Sequence, residues 1–258
     1  MTVSSCADTA DIAGQVFQPV HEGRLVVATS LPAPGFWNGS DPSNLTGGFE
    51  YGIAEKMAER FDLDLEIVDR PFDEIVGGDL TGVDMALAQI SVTDARSESL
   101  AFSTPYYRNG VGVIMSSGAE MADLKSAQEA EWAVQKGTIE VEVLNDMVQP
   151  DNDPIIRNSL EETVAAVADG KVDAALVDLS TALIVTNGRE DLTTVARFVV
   201  DLPFAVAMPL DSDNVEVVNA AIRALDNDGT LDSLSKSNLI DSFEKDPDSV
   251  PVIRTSLG

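Results

Sequence analysis

Arg96 is the residue whose chemistry is plainest in the sequence. It closes the stretch Met85-Ala-Leu-Ala-Gln-Ile-Ser-Val-Thr-Asp-Ala-Arg96, and Phe102-Ser-Thr-Pro-Tyr106 follows. Residues 85–88 are apolar and of strand length, as in a strand buried on both faces. Thr93 and Asp94 then open a short helical turn by N-cap chemistry. A guanidinium, the Ser91 hydroxyl and free backbone N–H groups thus reach one rim, beyond the carboxyl end of a strand, where open α/β sheets bind ligands. Such a set suits a carboxylate, which accepts two parallel N–H bonds from an arginine. The alternative is a surface arginine that caps the turn or pairs with Glu98. A carboxylate is delivered in the same way later in the chain, where residues 171–178 read as a strand ending in Asp178. Its alternative role is to cap a helix starting near Leu179.

The elements that must position these two groups follow from periodicity. Residues 24–29 are an apolar first strand, followed by a loop rich in Pro and Gly that carries Phe36 and Trp37. Ile53, Ala54, Met57, Ala58 and Phe61 share one face of a helix over 49–61. A strand at 65–68, a short helix at 72–76 stopped by Gly77-Gly78, and the strand at 85–88 complete a βαβαβ pattern. The grammar repeats: strands at 111–115, 131–134 and 155–157, a helix over 139–147, and a helix to Ala168 that opens with the capping box Ser159-Leu-Glu-Glu162. Gly170 ends that helix. Strands at 197–200 and 204–208 and helices over 214–226 and 231–240 follow. Two α/β units joined by two crossings, near 106–112 and 199–204, predict two lobes with a cleft between them. The competing fold is a single doubly wound domain.

Composition narrows the function. The chain has 258 residues and a net charge of -28, which disfavours nucleic acid and anionic membrane surfaces as partners. One histidine, His21, leaves no histidine cluster for zinc, and one cysteine leaves no disulfide framework. No metal site and no cofactor are implied. No apolar run is long enough to span a bilayer. The first residues lack the basic and apolar regions of a signal peptide. Val3-Ser-Ser-Cys6 is loosely similar to the end of a bacterial lipoprotein signal. The expectation is a trimmed signal, a lipidated Cys6 and a polar tether; the alternative is a stray thiol in a tail.

Six motifs in order resemble the extracytoplasmic solute-binding proteins of amino-acid ABC importers. They are Gly48-Phe-Glu-Tyr-Gly-Ile-Ala54, Ile90-Ser-Val-Thr-Asp-Ala-Arg96, Phe102-Ser-Thr-Pro-Tyr106, Gln135-Lys-Gly-Thr138, Asp173-Ala-Ala-Leu-Val-Asp178 and Asp228-Gly-Thr-Leu231. The resemblance covers residues 24–243. It implies a two-lobed α/β fold of the periplasmic-binding-protein type (class II), with a ligand cleft between the lobes. It also implies a division into an N-terminal tether (1–23), a discontinuous lobe I (24–108 and 204–258) and lobe II (109–203).

The resemblance further implies roles. Arg96 takes the ligand α-carboxylate, the backbone around Gln89 and Ser91 holds the α-amino and carboxylate groups, and Thr138 adds a carboxylate contact. Asp178 takes the α-ammonium, and Phe72 stacks on the ligand with Phe36 or Trp37 from the first loop. The loop spacing over 32–35 departs from the family pattern and leaves that last choice open. Gly52 replaces a usual aspartate. Ser30 and Leu31 stand where an acid often reads a cationic side chain, which argues against a lysine or arginine ligand. Each aromatic has core or rim packing as its alternative, and Thr138 has helix capping.

The function so implied is capture of a small amino acid or related zwitterion by a monomeric, extracytoplasmic protein and its delivery to an ABC permease. An arginine and an aspartate from opposite lobes would be bridged by the ligand, so closure is driven by contacts that only the closed state makes. The alternatives are an enzyme on the same fold, of dehydratase or lyase type, or the sensing module of a receptor. An enzyme needs a tuned acid or base in the cleft. Only Glu140 and Glu142 lie near it, and both read as residues of a helix's first turn.

Overall fold

The computed structural model describes residues 16–255. The first of two five-stranded sheets contains β1 (Arg24–Thr29), β2 (Asp64–Asp69), β3 (Met85–Ala86), β4 (Leu100–Phe102) and β10 (Ala207–Pro209). Its order is β2-β1-β3-β10-β4. Strands β1, β2 and β3 are parallel, and β10 runs antiparallel between β3 and β4. The second sheet contains β5 (Tyr107–Ser116), β6 (Trp132–Gln135), β7 (Ile155–Arg157), β8 (Ala174–Asp178) and β9 (Leu192–Phe204), in the order β7-β6-β8-β5-β9. The molecule is therefore a two-lobed α/β protein.

Burial follows the periodicity. Ile53, Ala54, Met57 and Ala58 of helix Phe49–Phe61 are buried, and the helix stops where Asp62 turns left-handed and its N–H reaches the carbonyls of Ala58 and Glu59. Val218, Ala221, Ile222 and Leu225 form the inward stripe of helix Val215–Asn227. Ser159 caps helix Leu160–Ala168 by accepting from the Glu162 N–H.

The crossings differ from the simple expectation. The two strands read at 197–200 and 204–208 are one thirteen-residue strand, β9, and then the short β10. β9 is long because β5 pairs with it from Tyr107–Phe204 at one end to Ser116–Leu192 at the other. An aromatic cluster packs where this ribbon meets the first lobe: Phe36 lies 6.3 Å from Tyr107 and 6.2 Å from Phe204, and Phe49 lies 5.4 Å from Tyr107.

Both chain ends depart from their expected places. Residues 16–23, expected as tether, are docked on the first lobe. Phe17 is buried and stacks on Phe61 at 4.5 Å. The Val20 N–H donates to Asp84 at 2.6 Å, and Gln18 and Asn214 exchange hydrogen bonds. The last described residues, expected in lobe I, lie on the second lobe instead. Glu244 accepts from Thr186 and Thr193, the Arg197 N–H donates to the Pro251 carbonyl, and Val250 packs with Leu179 and Leu183. The chain thus crosses between lobes a third time, after helix Thr230–Asn238. The segment is held there by Glu244, which joins the hydroxyl network of Thr186, Thr193 and Thr194, and by the apolar packing of Val250.

Candidate functional site

Both sheets direct strand ends to one cavity between the lobes. It is lined from the first lobe by Ser30, Leu31, Phe72, Gln89, Ser91 and Arg96, and from the second by Thr138, Glu140, Leu160, Asp178 and Thr181. Most candidates read from sequence therefore meet in one place.

Arg96 is fixed by its own turn and by the opposite lobe. Thr93 caps the turn Asp94–Ser97 by accepting from the Arg96 N–H. The guanidinium donates from Nη1 to the Ser91 carbonyl at 2.8 Å and from Nη2 to the Gly137 carbonyl at 2.9 Å. It also lies over the Phe72 ring, 5.6 Å from its centroid, within cation–π range. The pairing with Glu98 is not made. Burial lowers the Arg96 pKa, and the charges of Glu140 and Asp178 act against that shift.

Asp178 ends β8 and precedes helix Leu179–Val185, but its side chain makes no capping bond. Its carboxylate faces the cavity rather than the helix. Burial raises its pKa well above the ordinary aspartate value; the Glu140 charge adds to that and Arg96 opposes it. Thr138 likewise caps nothing: its hydroxyl donates to the Gln135 carbonyl at 2.9 Å, and no side chain caps helix Glu140–Glu142.

Gln89 adopts a left-handed backbone, φ 56°, three residues beyond the end of β3, and its side chain lines the cavity. Glu50 holds that conformation. Its buried carboxyl accepts from the Gln89 N–H at 2.7 Å and from Trp37 Nε1 at 2.7 Å, and it is hydrogen-bonded to the Tyr106 hydroxyl. Burial is the main cause that raises its pKa to about 7. The Gln89 N–H, expected at the ligand, is thus committed to Glu50. The Gln89 side chain instead accepts from Thr181 Oγ1 at 3.0 Å, across the cleft.

Phe72 lines the cavity, but the two first-loop candidates do not. Phe36 and Trp37 are fully buried. Phe36 belongs to the aromatic cluster under the crossing strands, and Trp37 donates to Glu50 and to the Leu87 carbonyl at 3.1 Å. An indole N–H buried this deeply needs such acceptors, which commits Trp37 to the core. Cys6 lies outside the described residues.

Among the described residues, polar contacts that join the lobes at the cleft are Arg96 to Gly137, Thr181 to Gln89, and Lys136 to Asp73 at 2.7 Å. Gly137 makes the close approach possible. Its φ is +79°, and a Cβ there would meet the Asp73 Cα at 3.1 Å. Two contributors were not read from sequence as ligand-binding residues, although Glu140 was named as near the cleft. Thr181 had no motif to mark it. Glu140 looked like an ordinary first-turn acid, yet it is 3 % exposed and faces the cavity. Its place two residues after Thr138 was the signal.

The family model for bacterial extracellular solute-binding proteins, family 3, matches residues 25–239. The chain belongs to this family. The L-cystine-binding protein TcyJ of Escherichia coli (strain K12) is 28% identical over 248 residues, covering 92% of this chain and 88% of that protein. Among solved structures, an amino acid ABC transporter substrate-binding protein from Streptococcus pneumoniae Canada MDR_19A, bound to L-arginine, is 32% identical with a TM-score of 0.74, covering 84% of this chain and 94% of that one. An ancestral arginine-binding protein bound to glutamine superposes with a TM-score of 0.77 at 23% identity, covering 87% of this chain and all of that one. Among the described residues, no helix is long and apolar enough to cross a membrane.

Proposed function

We propose that this family member captures a small zwitterionic amino acid between its lobes and delivers it, as an extracytoplasmic monomer, to an ABC importer permease. Arg96 takes the α-carboxylate and Asp178 the α-ammonium. The observation that carries the reading is that these two opposite charges line one cavity from different sheets and pair with no charged residue among those described. Each is also partly desolvated, so a ligand carrying the complementary pair gains more than it would in water. Thr138, the Ser91 hydroxyl and Phe72 complete the site. Lipidation of Cys6 would tether the protein at the membrane surface.

The relatives support this reading, because proteins named for binding cystine and arginine share most of this chain's length. Calorimetric titration with the twenty amino acids and their deaminated acids tests it. An amino acid bound at least tenfold more tightly than its deaminated counterpart is the expected result. Binding of the deaminated acids alone would remove the role given to Asp178. The enzyme reading is favoured by one observation, the buried Glu140 carboxyl with its raised pKa. Recovery of the bound ligand chemically unchanged after prolonged incubation rejects it.

A further inference from the structure

We propose that Glu140 is the residue that selects the ligand side chain, and that it selects a second cationic group. The inference rests on the amino-acid reading above and extends it from the α-substituents to the side chain.

The first observation is the state of the Glu140 carboxylate. The residue is 3 % exposed, lines the cavity, and its Oε1 has no hydrogen-bond partner. Buried polar atoms are nearly always paired, and this unpaired oxygen belongs to a residue that lines the cavity, where a small side-chain adjustment would present it to a donor on the ligand. Glu142, two residues on along the same helical run, has no such place: it does not line the cavity.

The second observation is the charge of the cavity. Its ionisable lining groups are Arg96, Asp178 and Glu140, one cation and two anions. A zwitterion with a neutral side chain satisfies Arg96 and Asp178 and adds no net charge. It leaves Glu140 as an unpaired anion in a closed, dry site, or forces a proton onto it. An ammonium or guanidinium on the side chain makes the closed site neutral and gives Oε1 its donor. Burial raises the Glu140 pKa, and its own N–H, the Thr138 hydroxyl and the Arg96 charge act against that shift.

This placement reverses the expectation drawn from Ser30 and Leu31. The first-lobe loop offers no acid to a cationic side chain, but the second lobe does.

The test is titration calorimetry of the full chain with matched pairs: arginine against citrulline, and lysine against norleucine. In the wild type, the cationic member of at least one pair should bind tenfold or more tightly than its neutral partner. Glu140→Gln should erase that preference while its melting curve stays that of a folded protein. Arg96→Ala should weaken both members alike. Equal wild-type affinity within each pair would overturn the inference even if Glu140→Gln did not fold. A preference that survives Glu140→Gln in a folded protein would overturn it as well. If neutral amino acids bind in an Arg96-dependent manner and cationic ones do not, the side-chain inference fails while the amino-acid reading stands. If no member of either pair binds and the other amino acids are silent too, both fail.

Discussion

The Arg96 guanidinium reaches across the cleft to the Gly137 carbonyl at 2.9 Å. The residue proposed to take the ligand carboxylate therefore also bridges the two lobes. On that proposal ligand capture and lobe closure would share one side chain, and closure would be favoured by contacts that an open state lacks.

Removal of that side chain is expected to uncouple binding from folding. Arg96→Ala should fold normally, because its turn is capped by Thr93 through the backbone. It should lose amino-acid affinity by at least tenfold, the effect of deleting a charged hydrogen-bond donor of roughly 1.5–3 kcal/mol. Calorimetry and circular dichroism on the same sample separate the two.

Asp178→Asn should discriminate between ligand classes. The amide keeps the shape and removes the charge that faces the ammonium. Amino acids should weaken more than carboxylates without an amine, and a competition titration reads the ratio. Equal loss for both classes would place Asp178 in a purely structural role.

Gly137→Ala should hold the cleft ajar. A left-handed alanine costs on the order of 1 kcal/mol. Its Cβ would also press on the Asp73 Cα at 3.1 Å, but only when the lobes are closed. Affinity should fall several-fold, and small-angle X-ray scattering should show a larger radius of gyration than for the wild type with ligand.

Much of this was legible in the sequence, and the misses have physical causes. Arg96 and Asp178 were readable because each follows an apolar strand that must end at a rim. Phe36 and Trp37 were read as ligand contacts because an aromatic in a rim loop carries no mark of which way it faces. Contacts from distant residues decide it: Glu50 anchors Trp37, and the crossing strands bury Phe36. Glu140 was discounted because an acid in a first helical turn is ordinary, and the packing that buries it against the strands of its lobe leaves no mark in the local sequence. The C-terminal segment was assigned to the wrong lobe for a similar reason: the partners of Glu244 lie 50 to 58 residues earlier.

Phe36→Ala should report a core residue. The expected loss is about 3–5 kcal/mol of stability, with affinity little changed in the fraction that remains folded. Phe72→Ala should do the opposite, weakening the ligand more than the fold. Denaturant melts with and without ligand distinguish them.

Glu50 gives the protein a specific pH dependence. Its carboxyl titrates at about 7 in the folded state against 4.5 for the free side chain. Between those values the folded protein holds a proton that the unfolded chain has released. The stabilisation is complete below the lower value and is lost as pH rises through the upper one, a change of roughly 3 kcal/mol. Between about pH 5 and about pH 7.5 the Glu50→Gln melting temperature should fall less than that of the wild type, because the amide has no proton to lose. Parallel curves for the two proteins would contradict the shift.

The central claim is that a zwitterion bridges Arg96 and Asp178. Its most direct test is a thermal-shift screen of wild type and Arg96→Ala against the twenty amino acids. At one hundred times its dissociation constant a ligand adds about 2.7 kcal/mol to stability. The melting temperature should rise clearly for at least one amino acid in the wild type, and a tenfold loss of affinity in Arg96→Ala should cut that stabilisation to about half or less. Silence across all twenty in the wild type, or a shift of equal size in the variant, would contradict the claim.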